Sequence, residues 1–200
     1  TPLCHLCCLI AVFNCRSNTE PYSNLGLVYV ELKQYKEAII NYKKAINLGS
    51  VDAKVFNNRG LAYSMLQQHK QAIDDYVEAL KIDPSFAQAY YNRGNTYIHL
   101  QKNQQAINDY TKAIQFNPAY AAAYNNRGVA YKALNQYQRA ISDYTQAIKL
   151  DSGFASAYNN RGIASVLSGN MVQGCPDLAK ACSLGNCDGY NIAKQNGLCK

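Results

Sequence analysis

Apolar and small residues recur three and four apart along most of this chain, in short stripes separated by polar turns, and the stripes themselves return every 34 residues. Between Ala53 and Phe86, one stripe runs Phe56, Gly60, Tyr63 and the next Ala72, Tyr76, Ala79. Residues spaced in this way share one face of an α-helix, so each period predicts two amphipathic helices, A and B, joined by a turn. One such hairpin cannot bury its own apolar face, and consecutive hairpins must stack to form a core.

The register runs without gaps through units 19–52, 53–86, 87–120 and 121–154 and into a divergent fifth, 155–184. Position 4 is Tyr22, Phe56, Tyr90, Tyr124 and Tyr158; position 8 is Gly26, Gly60, Gly94, Gly128 and Gly162. Position 11 is Tyr29, Tyr63, Tyr97 and Tyr131, then Ser165, and position 20 is Ala until Gly174. Position 24 is Tyr42, Tyr76, Tyr110 and Tyr144, then Leu178, and position 27 is Ala throughout. Pro84 and Pro118 fall at position 32, where Asp83-Pro84 and Asn117-Pro118 are expected to end B helices, because the residue before proline is pushed out of helical geometry. This set resembles the tetratricopeptide repeat (TPR) family over residues 19 to 184. The resemblance implies an all-α fold, a right-handed TPR superhelix (α-solenoid) of about five helix-turn-helix repeats plus a C-terminal capping helix. It also implies a concave groove lined by A helices.

The two ends depart from the repeat. Residues 1–18 are an apolar, cysteine-rich arm; the run Leu6 to Phe13 is too short to span a bilayer as a helix and reads as a retained arm or the remnant of an export signal. Such an arm has to bury itself, on its own solenoid or on a neighbouring molecule. Residues 185–200 read as a cap, with a turn, a short helix around Asp188 to Gln195 and a stop at Gly197. All eight cysteines lie in or beside these ends, which suggests disulfides and an oxidising compartment, periplasmic or extracellular. A cap helix running back over the fifth B helix brings Cys182 to Cys187 at the turn and Cys199 to Cys175. The competing pair, Cys175 with Cys182, lies seven apart on one helix, about 10 Å of rise, too far for a bridge. The pairing of Cys4, Cys7, Cys8 and Cys15 stays open.

Composition narrows the function classes. At 48% hydrophobic and 16% charged the chain is an ordered globular one, and its net charge of +7 is spread rather than clustered, which argues against a nucleic-acid partner. His5, His69 and His99 sit at unrelated positions with no acidic or cysteine cluster beside them in sequence, so no catalytic constellation, metal site or cofactor is expected. The Cys4 to Cys8 segment, CHLCC, has no second cysteine pair nearby to complete a zinc set.

Position 6 is Asn24, Asn58, Asn92, Asn126 and Asn160, and a core does not demand that. The row resembles the asparagine ladders of peptide-holding TPR superhelices, which implies capture of the main chain of an extended peptide at about 1 kcal/mol per amide. Asn57, Tyr91, Asn125 and Asn159 at position 5, and Asn95 at position 9, are expected to line the same groove. TPR domains that clamp a chaperone's terminal carboxylate carry basic residues at positions 2 and 6, a pattern missing here, so the partner expected is a neutral extended segment. Arg59, Arg93, Arg127 and Arg161 at position 7 are matched at position 23 by Asp75, Asp109, Asp143 and Asp177, while the first unit has Leu25 with Asn41. Both members change together, so an A-to-B ion pair is expected, partly exposed and contributing less than about 1 kcal/mol. Two functions fit: a non-catalytic scaffold for a protein or peptide partner, or a structural subunit of a self-assembling extracellular fibre whose arm docks on the neighbouring subunit.

Overall fold

The computed structural model describes residues 19–199, and every regular element among them is an α-helix. In chain order these are α1 (Glu20–Glu31), α2 (Tyr35–Asn47), α3 (Ala53–Met65), α4 (His69–Ile82), α5 (Ala87–His99) and α6 (Asn103–Phe116). There follow α7 (Ala121–Ala133), α8 (Tyr137–Leu150), α9 (Ala155–Leu167), α10 (Met171–Ser183) and α11 (Asp188–Gln195). Odd-numbered helices up to α9 are the A helices and even-numbered ones the B helices. The N-terminal arm lies outside the described residues. The chain forms two compact units that meet between Thr96 and Tyr97, inside α5.

The first unit has a continuous core. Ala38, Tyr42 and Ala45 of α2 join Val55 and Ala62 of α3 and Ala72 and Tyr76 of α4, with Tyr22 and Tyr29 of α1 packed against them. The position-24 tyrosines set the spacing of each hairpin. A Cβ added to Gly26 would stand 2.6 Å from the Tyr42 ring, and one on Gly60 2.8 Å from the Tyr76 ring. Only glycine admits the ring at position 8, and the ring in turn is 0–1% exposed.

The second unit repeats the arrangement, with Gly128 under the Tyr144 ring and Gly162 under Leu178. Leu178 is where the pattern changes hands, because its far side joins Ala193 of α11 and Cys199 in a capping cluster. Two disulfides bind the cap to α10, Cys175 to Cys199 with Cα atoms 5.5 Å apart and Cys182 to Cys187 at 3.9 Å. The first spans 24 residues and adds about 3 kcal/mol in the chain-entropy description of loop closure. Gly197, at φ +67°, turns the chain back so that Cys199 is buried.

The turns are as periodic as the helices. Position 15 ends every A helix in a left-handed conformation: Lys33, Gln67, Gln101 and Asn135 at φ 57–59°, and Gly169 at 87°. Left-handed backbone costs most residues about 1–2 kcal/mol, and only Asn135 and Gly169 are suited to it. At the B-to-A turn, position 31 is Gly49 or Gly185 at φ +93°, or else Asp83, Asn117 or Asp151, whose Oδ1 accepts from a backbone N–H two residues on. The side chain does there what glycine's freedom does elsewhere.

Two outcomes follow from this packing. Gln67→Gly should stabilise the chain by about 0.5–1 kcal/mol and raise the melting temperature by about 2 °C, because relief of the left-handed strain exceeds the added unfolded-state entropy; an unchanged or lower midpoint in thermal circular dichroism would contradict it. The second concerns alkaline pH. Burial pushes the Tyr42 phenol up to about 12, against a smaller opposing effect of the Asn58 amide, and raises Tyr76 and Tyr144 further. A folded value above the unfolded value of about 10 means that this stability is complete below pH 10 and is lost as pH rises through 12. Melts between pH 8 and 12 should hold level to about pH 10 and then fall, with tyrosinate absorbance from these three of the 17 tyrosines appearing only as helix is lost.

Candidate functional site

Two kinds of polar side chain sit on the A helices beside the packed glycine, and the helical register presents them to different neighbours. Position 7 precedes the glycine and turns toward helix B, whereas positions 5 and 6 turn toward the adjacent A helices.

At position 7 the arginines make paired bonds to aspartate. Arg59 of α3 donates from Nε and Nη2 to Asp75 of α4 at 2.8 and 2.6 Å, Arg127 of α7 to Asp143 of α8 at 2.8 Å twice, and Arg161 of α9 to Asp177 of α10 at 2.7 Å twice. The pairs are more enclosed than the sequence suggests. The arginine side chains are 15–16% exposed and the aspartates 6–9%. The reason lies at position 4, whose ring covers the guanidinium: Phe56, Tyr124 and Tyr158 each centre 5.6 Å from their arginine, as Tyr90 does from Arg93. Arg127 and Arg161 also donate from Nη1 to Thr111 and Thr145, on the B helix of the preceding repeat, at 3.0 and 3.1 Å. Burial opposes the charge on Arg59, but bonding to Asp75 outweighs it and raises the guanidinium; burial likewise pushes the Asp75 carboxyl up, more than Arg59 draws it down. Desolvation this large means that the pair orients helices more than it adds net stability. Asp109 is buried to the same degree on α6.

The amides at positions 5 and 6 bond to one another. In the first unit Asn92 Nδ2 of α5 donates to Asn57 Oδ1 of α3 at 2.9 Å, and Asn57 Nδ2 donates to Asn58 Oδ1 at 3.1 Å. In the second, Asn160 Nδ2 of α9 donates to Asn125 Oδ1 of α7 at 3.1 Å, and Asn125 Nδ2 to Asn126 Oδ1 at 3.0 Å. Each bond of the first kind spans 35 residues and ties one A helix to the next. This amide spine was not foreseen from sequence, although Asn at position 5 followed by Asn at position 6 one repeat later is its signature. Asn57, Asn92 and Asn125 are thereby 3–6% exposed, and Gln88 caps the Asn92 carbonyl at 3.0 Å. Asn24 stays exposed, and Asn58, Asn126 and Asn160 are half-buried at the edge of the spine. Asn95, Tyr91 and Asn159 are half-buried, Asn159 with its Oδ1 against Gly189 of the cap helix. Position 9 adds apolar area beside the amides, with Leu27 47% exposed and Leu61, Val129 and Ile163 partly so.

Among the described residues no group of three or more His, Cys, Asp or Glu side chains is placed to hold a metal ion. No helix among them is long and apolar enough to cross a membrane.

Family models of this repeat match most of the regular part of the chain. Two described as tetratricopeptide repeat match residues 53–86 and 121–154, and 76–108; a third, described as TPR repeat, matches 26–67 and 94–135. The matches together run without a break from residue 26 to residue 154. The chain is a tetratricopeptide-repeat protein.

Solved structures agree with the family. A MamA crystal structure superposes on this TPR chain with a TM-score of 0.74 at 26% identity, covering 83% of this chain and 91% of its own. MamA residues 41 to the end from Desulfovibrio magneticus RS-1 give 0.76 at 20% identity, covering 84% and 95%. YrrB, described as a TPR protein with an unusual peptide-binding site, gives 0.74 at 21% identity, covering 93% and 97%. No curated protein matches.

The enclosure of the arginine struts sets a measurable cost. Arg127→Ala leaves Asp143 charged, buried and unpaired in the TPR core and should destabilise by about 3–5 kcal/mol. Arg127→Ala with Asp143→Ala should cost less than the single change. A chemical-denaturation double-mutant cycle returning under about 0.5 kcal/mol of coupling would put the pair back among ordinary surface ion pairs.

Proposed function

We propose that the chain is a non-catalytic scaffold that holds an extended segment of a protein partner along the face of its A helices. The observation that carries this reading is the amide spine. Its inner members are spent on one another, which fixes Asn58, Asn126 and Asn160 as pre-positioned donors and acceptors at its edge, and Asn24 adds an exposed amide at the same repeat position. Fixed amides hold a peptide main chain with little entropy lost on binding. The exposed part of position 9, Leu27 above all, supplies apolar contact for alternate side chains of such a segment. An amide edge without a basic cluster favours uncharged backbone over an anionic terminus. The peptide-binding site that YrrB's description reports is consistent with such a role for a TPR surface. The cap's two bridges suit an oxidising compartment, and we place the chain in the periplasm or outside the cell on that ground.

The test uses Asn24 and Asn58, whose loss leaves the Asn92–Asn57 bond in place. Peptides selected from a phage-displayed random library on the immobilised full chain should bind the Asn24→Ala, Asn58→Ala double variant at least tenfold more weakly, about 1 kcal/mol per amide. Its thermal midpoint should stay within a few degrees of the parent. Undiminished peptide binding would remove the amide edge from the function.

A further inference from the structure

The cap helix α11 keeps the register of an A helix but not its chemistry. One repeat length on from Tyr158 and Asn159, at positions 4 and 5, stand Ile192 and Ala193. In the Asn92–Asn57 and Asn160–Asn125 bonds the donor is the position-6 asparagine of the next repeat. For Asn159 that place holds Lys194, whose Nζ lies 5.5 Å from the centre of the Tyr190 ring. Among the described residues nothing donates to Asn159 Oδ1, which is buried against Gly189. The amide spine of the second unit therefore stops where α11 begins, and apolar side chains take over.

A cavity of about 300 Å³ opens at this point, between α9, α10 and α11. Leu178, 1% exposed, is its floor, with Ile163 and Val166 of α9 and Ala193 of α11 around it. At the rim Leu167, Ile192 and Leu198 are 55%, 59% and 42% exposed. Every described residue that lines it is aliphatic or glycine. An apolar void of roughly half this size takes benzene, so the volume suits one large side chain, and the lining offers a polar one no partner. The walls are held in place beforehand: one disulfide ties Cys199, next to Leu198, to α10, and the other ties down Cys187, next to the start of α11. The cavity is also continuous with the amide edge. Ile163 follows Asn160 by three residues on α9, so the two share a face with their Cβ atoms about 5–6 Å apart. An extended segment held at Asn126 and Asn160 passes the mouth of the cavity with its side chains alternating toward and away from the helices.

We propose that this cavity is the specificity pocket of the peptide-holding face, taking one leucine, methionine or phenylalanine side chain of the captured segment. The assignment rests on the scaffold reading above and adds what the amides lack. Amides that hold main chain accept almost any sequence, whereas an apolar cavity discriminates, because a polar side chain entering it gives up water for no partner. The same segment covers the exposed rim, whose apolar side chains water disfavours.

Two measurements on the oxidised full-length chain test this. In the first, methyl NMR spectra are followed during titration with N-acetyl-phenylalanine methylamide, with the glutamine analogue as control. The methyl signals of Ile163, Val166 and Ile192 should shift and saturate with the phenylalanine probe alone. No saturable shift there, or equal shifts with the glutamine probe, would overturn the assignment whether or not the chain holds peptides. In the second, each apolar residue of a phage-selected peptide is changed in turn to alanine. One such change should weaken binding to the parent about tenfold but binding to the Ile192→Glu chain only about twofold or less, because that chain has already lost the contact. Ile192 is exposed at the rim, so its substitution should leave the thermal midpoint within a few degrees of the parent. Peptides that bind the Ile192→Glu chain as tightly as the parent, yet bind the Asn24→Ala, Asn58→Ala chain more weakly, would overturn the pocket and leave the amide edge standing. Peptides weakened by Ile192→Glu but indifferent to loss of the two amides would uphold the pocket and remove the amide edge.

Discussion

Everything else in this chain is arranged around a ring lying on a glycine. With the position-24 tyrosine seated where a Cβ would be, helices A and B of one repeat approach as closely as backbone permits. That contact is apolar and nearly isotropic, so by itself it would leave the hairpin free to slide or rotate. The polar side chains on either side of the glycine supply the direction that packing does not. A forked guanidinium accepts only one orientation of a carboxylate, and the ring at position 4 closes over it.

The amides act at a different level. The arginine struts join helices of one repeat, and where Thr111 and Thr145 are present they reach the preceding B helix as well. The asparagine bonds join successive A helices. Because an asparagine carries both a donor and an acceptor, one residue type can continue such a chain indefinitely, each amide receiving from one side and giving to the other. A charged side chain could not, because it would repel its own copies. The same capacity makes the outermost members useful to a partner.

Much of this was legible in the residues, and what was not has a physical reason. A period of 34 with glycine and alanine at fixed places leaves few options but stacked helical hairpins, and Pro84 and Pro118 mark helix ends within a residue or two. The cap was readable because Cys182 and Cys187 flank a turn and Asp188 to Gln195 is a short amphipathic run. The matching of positions 7 and 23 revealed who meets whom but not how deeply, since exposure of an arginine depends on whether a ring four positions from the repeat start lies over it. The spine escaped notice because its bonds connect position 5 of one repeat to position 6 of the next, a spacing of 35 that a reading within single repeats does not compare. The left-handed residues escaped for the opposite reason: Lys33, Gln67 and Gln101 carry no local signal for that conformation, and the hairpin imposes it on them.

The division of labour between struts and spine has a consequence for how such an array comes apart. In a nearest-neighbour description, stability separates into a term intrinsic to each repeat and a term for each interface, and cooperativity grows with the second. The arginine–aspartate fork belongs to the first term and the Asn92–Asn57 and Asn160–Asn125 bonds to the second. The share of the interface term carried by neutral amides is insensitive to ionic strength, whereas the share carried by the Arg127–Thr111 and Arg161–Thr145 bonds comes from charged groups, so salt should loosen the coupling between repeats only in part.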